Sequence, residues 1–408
     1  MHIGKDHTKC PDLTIDNWKL EKKDEIISNI WDMEDTEDDI ANLKEVEHTR
    51  YLGEVVSNTG SQDRNIQTRV IRGLSAGESI IQILQETCFG KYDCEVFLIF
   101  RESLLLSTLI SNSETWNYIT KKNIETLEAV DENLIRKKFE LHPKTSKTFL
   151  YLDLGLVPIR FQIMQRRLGF LHFLLNENPD SLVHQILQEQ LTNPVRHDWI
   201  ELVEQDLIDL DIDNSMEEIK ECPAEEFKRI VKERTEEKAF EYLSNLRENQ
   251  SKMKNLTYKK LEIQKYLKSN QNLTNSQVNF TLSARSRGLN LRDNFKSTQE
   301  TLVCRICEDK NSVESQPHLL DCAVINANIV STANQTNYEN LFSENPDLIV
   351  ETSNALRTAY KRFQELLQNR PSACGDSTRA AETEADTLPG TRDPILPSHS
   401  RCYISDPE

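Results

Sequence analysis

Cys304, Cys307, His318 and Cys322 are the residues of this chain best placed to do chemistry. They read Cys-x2-Cys, then ten residues, then His-x3-Cys, in the stretch CRICEDKNSVESQPHLLDC. Three thiolates and one imidazole make a complete tetrahedral ligand set for structural Zn²⁺, with no position left for water or substrate. A closed site of this kind shapes a loop and does no hydrolysis. Two other readings of the same residues stay open: a surface turn with a buried His and Cys, and a redox Cys-x2-Cys pair. The redox pair is disfavoured because Cys304 and Cys307 open a polar loop and follow no βαβ pattern.

Other candidates fall short on type or spacing. Asp209, Asp211 and Asp213 imitate the opening of a calcium loop, but Asn214 stands where Gly is needed and Lys220 where a bidentate Glu is needed. An acidic helix end is expected there instead. The pair Asp38-Asp39 lies in TEDDI, a polar acidic run, whereas a two-metal site needs carboxylates held rigidly on strands. There is no Gly-rich phosphate loop and no GxSxG. His142, His172, His184 and His197 have no second ligand at metal spacing, and His172, between Leu171 and Phe173, reads as a core or boundary residue. No catalytic residue is expected.

Composition narrows the partners. A chain of 408 residues is long enough for two or three domains. Its net charge of −18 argues against nucleic-acid binding by the whole surface. The segment 247–310, however, carries 13 Lys and Arg against 6 Asp and Glu, a local balance of +7 (13 minus 6). That basic stretch runs directly into the first zinc ligands, an arrangement able to hold phosphates. The plainer reading of Lys259, Lys260, Lys265 and Lys268 is the wet face of a helix. The apolar run Val96 to Ile110 is broken by Arg101 and Glu102 and is too short to cross a bilayer, so a buried helix and no membrane partner are expected. The opening MHIGKDHTKCPDL has no apolar run and reads as no signal peptide. Nine scattered cysteines suit a reducing, intracellular compartment, which leaves sequons such as the one at Asn255 without consequence.

The elements that would position these residues are mostly helical. Residues 1–45 are acidic and expected to be poorly ordered. Residues 46–64 hold a short strand, RYLGEVVSNTG, closing into a turn at Asn58 and Gly60. Over 65–190 the spacing predicts a helical domain. Ile66, Val70, Ile71, Leu74, Ile81 and Leu84 fall on one helix face, and Thr120 reads as an N-cap. Phe149 to Leu156 reads as a helix turn or a short strand, and Pro158 opens a helix through Phe173. Residues 191–300 read as a charged helical connector with the basic stretch, and 301–325 as a zinc knuckle. A C-terminal helical segment covers 326–370, with its helix over Leu356 to Leu367, and a disordered tail covers 371–408.

In this order, the chain resembles the C-terminal part of a non-LTR (LINE-like) retrotransposon reverse transcriptase over about residues 46–370. EHTRYLGEVVSNTG is similar to the block that closes the palm of these polymerases. FRESLLLSTLISNSETW, TKKNIETLEAVDENLIRKKFEL and LDLGLVPIRFQIMQRRLGFLHFLL resemble the helical thumb, and CRICEDKNSVESQPHLLDC resembles the knuckle after it. The resemblance implies a thumb-like bundle after a residual strand, with RNA or DNA as partner. It makes Arg160, Arg166, Arg167, Arg285, Arg287 and Arg292 the candidates for phosphate contact; ordinary solvent exposure is their plainer reading. The family's catalytic carboxylates lie upstream of the YLG block, and no PD-x(n)-(D/E)xK pattern follows the knuckle here. What is implied is a truncated or degenerate remnant without polymerase or nuclease activity, nuclear or cytoplasmic. Two alternatives stand: the C-terminal half of an active polymerase completed by a palm on an upstream polypeptide, and a module that binds other protein partners.

Overall fold

The computed structural model describes residues 48–51, 54–57, 61–87, 94–117, 119–195, 198–268, 273–299, 301–327 and 337–370. The acidic N-terminal segment with Asp38-Asp39, the turn residues Asn58 and Gly60, His197 and the tail 371–408 lie outside the described residues. The fold is mostly α, as expected from the helical periodicity.

The expected single strand is a hairpin. β1 (His48–Tyr51) pairs antiparallel with β2 (Glu54–Ser57), with His48 opposite Ser57 and Tyr51 opposite Glu54.

α1 (Asp63–Thr87) buries Ile66, Arg69, Gly73, Gly77, Ile80 and Leu84. Ile71 and Leu74, expected on that face, are 69% and 49% exposed. The inward face runs through two glycines, which an apolar pattern reads as gaps. A Cβ on Gly73 would lie 2.4 Å from Leu109 Cδ2, so the missing side chain is what lets the next helix approach. That helix, α2 (Cys94–Phe100), continues through a π-helical stretch, Arg101–Leu106, into Ser107–Leu109. Arg101, the charge that interrupts the apolar run, is buried and donates twice to Asp131, at 2.6 Å each.

α3 (Lys121–Lys138) starts where expected: Thr120 Oγ1 accepts from the Asn123 N–H at 3.1 Å. α4 (Lys147–Leu154) settles the ambiguous segment as a helix, buried at every position from Thr148 to Leu154. It stops at Gly155, whose φ of +65° favours glycine and whose added Cβ would lie 2.2 Å from the backbone of Glu262 and Ile263. Gly155→Ala is accordingly expected to destabilise the fold by about 2 kcal/mol or more, read as a lowered urea midpoint. An unchanged midpoint would show that the backbone at Glu262 and Ile263 moves aside freely.

α5 (Ile159–Leu175) begins after Pro158 as expected. α6 (Leu182–Thr192), α7 (Trp199–Asp209) and α8 (Met216–Glu221) start at Ser181, Asp198 and Ser215, each of which accepts an N–H of the first turn. α9 (Ala224–Glu248), α10 (Asn275–Arg285), α11 (Gln316–Asp321), α12 (Ala323–Asn326) and α13 (Pro346–Gln368) follow. α13 is longer than its apolar repeat predicts because Asn345 caps it and Pro346 opens it.

The buried residues form two clusters, and each draws on residues from both sides of position 190. One joins α1–α4 to residues 253–363, knuckle included. The other gathers α5–α9. α5 stands between them, with Ile159 and Ile163 in the first and Phe161, Leu168 and Leu171 in the second. His172 is the boundary residue expected: its ring stacks on Phe227, and Nε2 lies 2.8 Å from the Cys222 carbonyl oxygen.

Candidate metal centre

Two short devices carry the four ligands. In the first, Val303 and Val313 form an antiparallel bridge, and the Cys304 N–H donates to the Ser312 carbonyl at 2.9 Å. Between them the Asp309 carboxylate accepts from the Asn311 N–H at 3.0 Å and the Ser312 hydroxyl at 2.8 Å. This tight loop holds Cys304 and Cys307 near each other. In the second, Ser315 caps α11, accepting the His318 N–H at 3.3 Å, and Pro317 lies in the first turn. His318 and Cys322 are four residues apart, which puts them on one side of that turn.

The four ligand atoms all lie within 4.8 Å of one another. Cys307 Sγ is 3.4 Å from His318 Nε2, which marks Nε2 as the ligand nitrogen. Zinc–sulfur bonds of about 2.3 Å and zinc–nitrogen bonds of about 2.0–2.1 Å define a tetrahedron with edges of roughly 3.5–3.8 Å. Small side-chain movements would bring the set to that size, so the group could bind a metal ion. Cys304 and Cys322 are buried; Cys307 and His318 are half-buried.

The thiols differ electrostatically. Burial pushes Cys304 up to about 11, and it also raises Cys322. Burial opposes ionisation at Cys307 too, but the Asp309 N–H and the neighbouring thiols outweigh it and hold Cys307 below the ordinary thiol range. A cation must therefore displace protons from the two buried sulfurs as it binds.

The knuckle is docked on the helical body. Glu314, fully buried, accepts from the Arg305 N–H at 3.0 Å, from its guanidinium at 2.9 and 2.7 Å, and from the Arg292 N–H at 3.1 Å. The Arg305 guanidinium lies over the Phe363 ring of α13, 5.4 Å from its centroid. Leu319, Leu320, Cys322 and Ile325 belong to the first core cluster.

The six arginines do not make one surface. Two expectations are corrected outright. Arg167 is 3% exposed and donates to Asp206 Oδ2 at 2.7 Å; burial raises the Asp206 carboxyl to about 6 against the pull of that guanidinium. Arg285 is 2% exposed and donates to Asp153 at 3.3 and 3.1 Å and to the Leu341 carbonyl at 2.5 Å. Neither meets a phosphate in this fold. Arg160 faces Glu128 at 3.0 and 3.1 Å and covers the Tyr242 ring. Arg166 donates to the Ile110 carbonyl at 3.1 Å, with Glu114 at 3.9 Å. Arg292 donates to the Val303 carbonyl at 2.9 Å, bracing the knuckle. Arg287 lines a surface cavity together with Lys144 and Lys252. Reading by sequence passed over these two lysines as site residues, although Lys252 falls in the basic stretch.

Lys259 and Lys260 do not sit on a helix. They follow the end of α9 in irregular chain and pair with Glu344 at 2.9 Å and Glu262 at 3.1 Å. In the Asp209–Asp213 run, Asp211 pairs with Lys238 at 2.5 Å. Among the described residues no helix is long and apolar enough to cross a membrane. No family model matches this chain, no curated protein matches it, and no solved structure matches it.

Proposed function

We propose that this chain is a non-catalytic nucleic-acid-binding protein, a remnant of the thumb and knuckle of a non-LTR retrotransposon reverse transcriptase, in which one structural Zn²⁺ shapes the knuckle. The observation that carries the reading is the gathering of Cys304, Cys307, His318 and Cys322 within 4.8 Å at the end of the basic stretch. Zinc suits the set because thiolate and imidazole together favour it over harder cations. Four protein ligands leave no open position, so the metal's work is to hold backbone and not to activate water. The chain's acidic total confines any contact with phosphates to local basic ground such as Arg287, Lys144 and Lys252.

The test is the salt dependence of binding by the full chain to single-stranded RNA and DNA. With about three phosphate contacts, affinity is expected to fall by about tenfold or more between roughly 50 and 200 mM salt. Binding that ignores salt over that range, or no binding at the lower salt, would overturn the reading.

A further inference from the structure

Three separate stretches of chain meet around a cavity of about 350 Å³. The loop before α4 supplies His142, Lys144 and Ser146; the 3-10 turn after α9 supplies Ser251 and Lys252; the turn after α10 supplies Ser286 and Arg287. Three cations and several hydroxyls thus face one space, and no carboxylate lines it. In a protein of net charge −18 that is a local reversal of sign. Asp293 is an acid whose charge Lys252 feels, and it stands outside the lining. Burial, and then the charges of Arg287 and Lys144, make the Lys252 ammonium easier to deprotonate than usual. The same crowding of positive charge would be relieved by an anion.

Arg287 has a φ of +53° because it ends α10 in a Schellman turn, where the Gly288 N–H donates to the Ser283 carbonyl at 2.7 Å and the Arg287 N–H to the Ala284 carbonyl at 3.1 Å. Its Nε–H is buried with no hydrogen-bond partner inside the protein. Phe295 forms an aromatic wall, with the His142 ring 4.8 Å from it and Lys252 Nζ 4.9 Å from its centroid.

We infer that this cavity is a phosphate site, in which Lys144, Lys252 and Arg287 hold a phosphate of a nucleic-acid strand and the hydroxyls of Ser251 and Ser286 supply further donors. Two ammonium groups and a guanidinium match the charge and the acceptor-only chemistry of phosphate oxygens. The inference rests on the nucleic-acid reading for the identity of the phosphate's carrier, while the anion chemistry stands on the cavity alone.

Lys144 and Lys252 are exposed at the rim, so Lys144→Glu with Lys252→Glu keeps the fold, which matched thermal melting checks. Binding of inorganic pyrophosphate and of a short single-stranded oligonucleotide is measured on the full chain and on this double variant. The expected result is that the variant loses pyrophosphate binding and about tenfold or more of its oligonucleotide affinity. If the parent binds the oligonucleotide and the variant binds it equally well, the cavity is overturned and the nucleic-acid reading stands. If pyrophosphate binding is lost in the variant but the parent binds no oligonucleotide, the anion site stands and the strand is overturned as its ligand. If the parent binds neither, both are overturned.

Discussion

Cys304→Ser is expected to empty the metal centre and loosen the C-terminal end of the protein. The parent chain should carry one zinc per molecule by elemental analysis, and the variant close to none at equal free zinc. Changes to the partners around a metal site already weaken binding by about 10–100-fold, so loss of a ligand should exceed about a hundredfold. Structural zinc contributes roughly 10–16 kcal/mol to isolated zinc-finger peptides. Here the loss should be smaller, because Glu314, Arg305 and the packing of Leu319 and Leu320 also hold the knuckle. Limited proteolysis should move to residues 301–327, and Cys222→Ser, away from the site, should change neither zinc content nor cleavage. Full zinc occupancy in Cys304→Ser would refute the assignment. The whole chain is the right material, because Cys322 and Ile325 share a core with α1 and α2.

Removing the Arg285 guanidinium should do comparable damage by another route. Asp153 is fully buried and accepts from Arg285, from the Tyr258 hydroxyl at 2.8 Å and from the Tyr266 hydroxyl. Burial, then the neighbouring carboxylate, holds both tyrosines well above their ordinary range, so they remain neutral donors. Burial works against the Arg285 charge, and Asp153 outweighs it. Arg285→Leu strands a carboxylate in the interior without its cation, at a cost of about 3–5 kcal/mol in unfolding free energy. Arg285→Lys keeps the charge but loses the two-pronged geometry and should fall in between. Asp153→Asn combined with Arg285→Leu should be less harmful than the two single changes added together. An Arg285→Leu protein with the parent's urea midpoint would show that the pair contributes nothing.

What could be read from sequence was what short spacing controls. The Thr120 cap, the opening at Pro158 and the gathering of Cys304, Cys307, His318 and Cys322 into a group that could hold a metal ion are each decided within a turn or a loop, and each is found where expected. What could not be read depended on distant partners. Arg285 and Arg167 look like surface cations until Asp153 and Asp206 are brought to them, across 132 and 39 residues. The inward face of α1 was hidden for a different reason: Gly73 and Gly77 have no side chain to register in an apolar repeat, yet the smallness of Gly73 lets Leu109 close in. α5 serves two cores at once, which its own apolar spacing does not show. The basic cavity joins Lys144 to Lys252 and Arg287 of the basic stretch, more than a hundred positions later, and no local pattern links the two.

The cluster that unites Ile66 with Phe363 also bears on how the molecule is born. A nascent chain leaves the ribosome from its N-terminus, at about 5–20 residues per second. The side of α4 that carries Asp153 stays uncovered until Arg285 of α10 emerges to meet it. For many seconds the half-made protein offers greasy surface to chaperones and to its own neighbours, and pairings this far apart form slowly even after release.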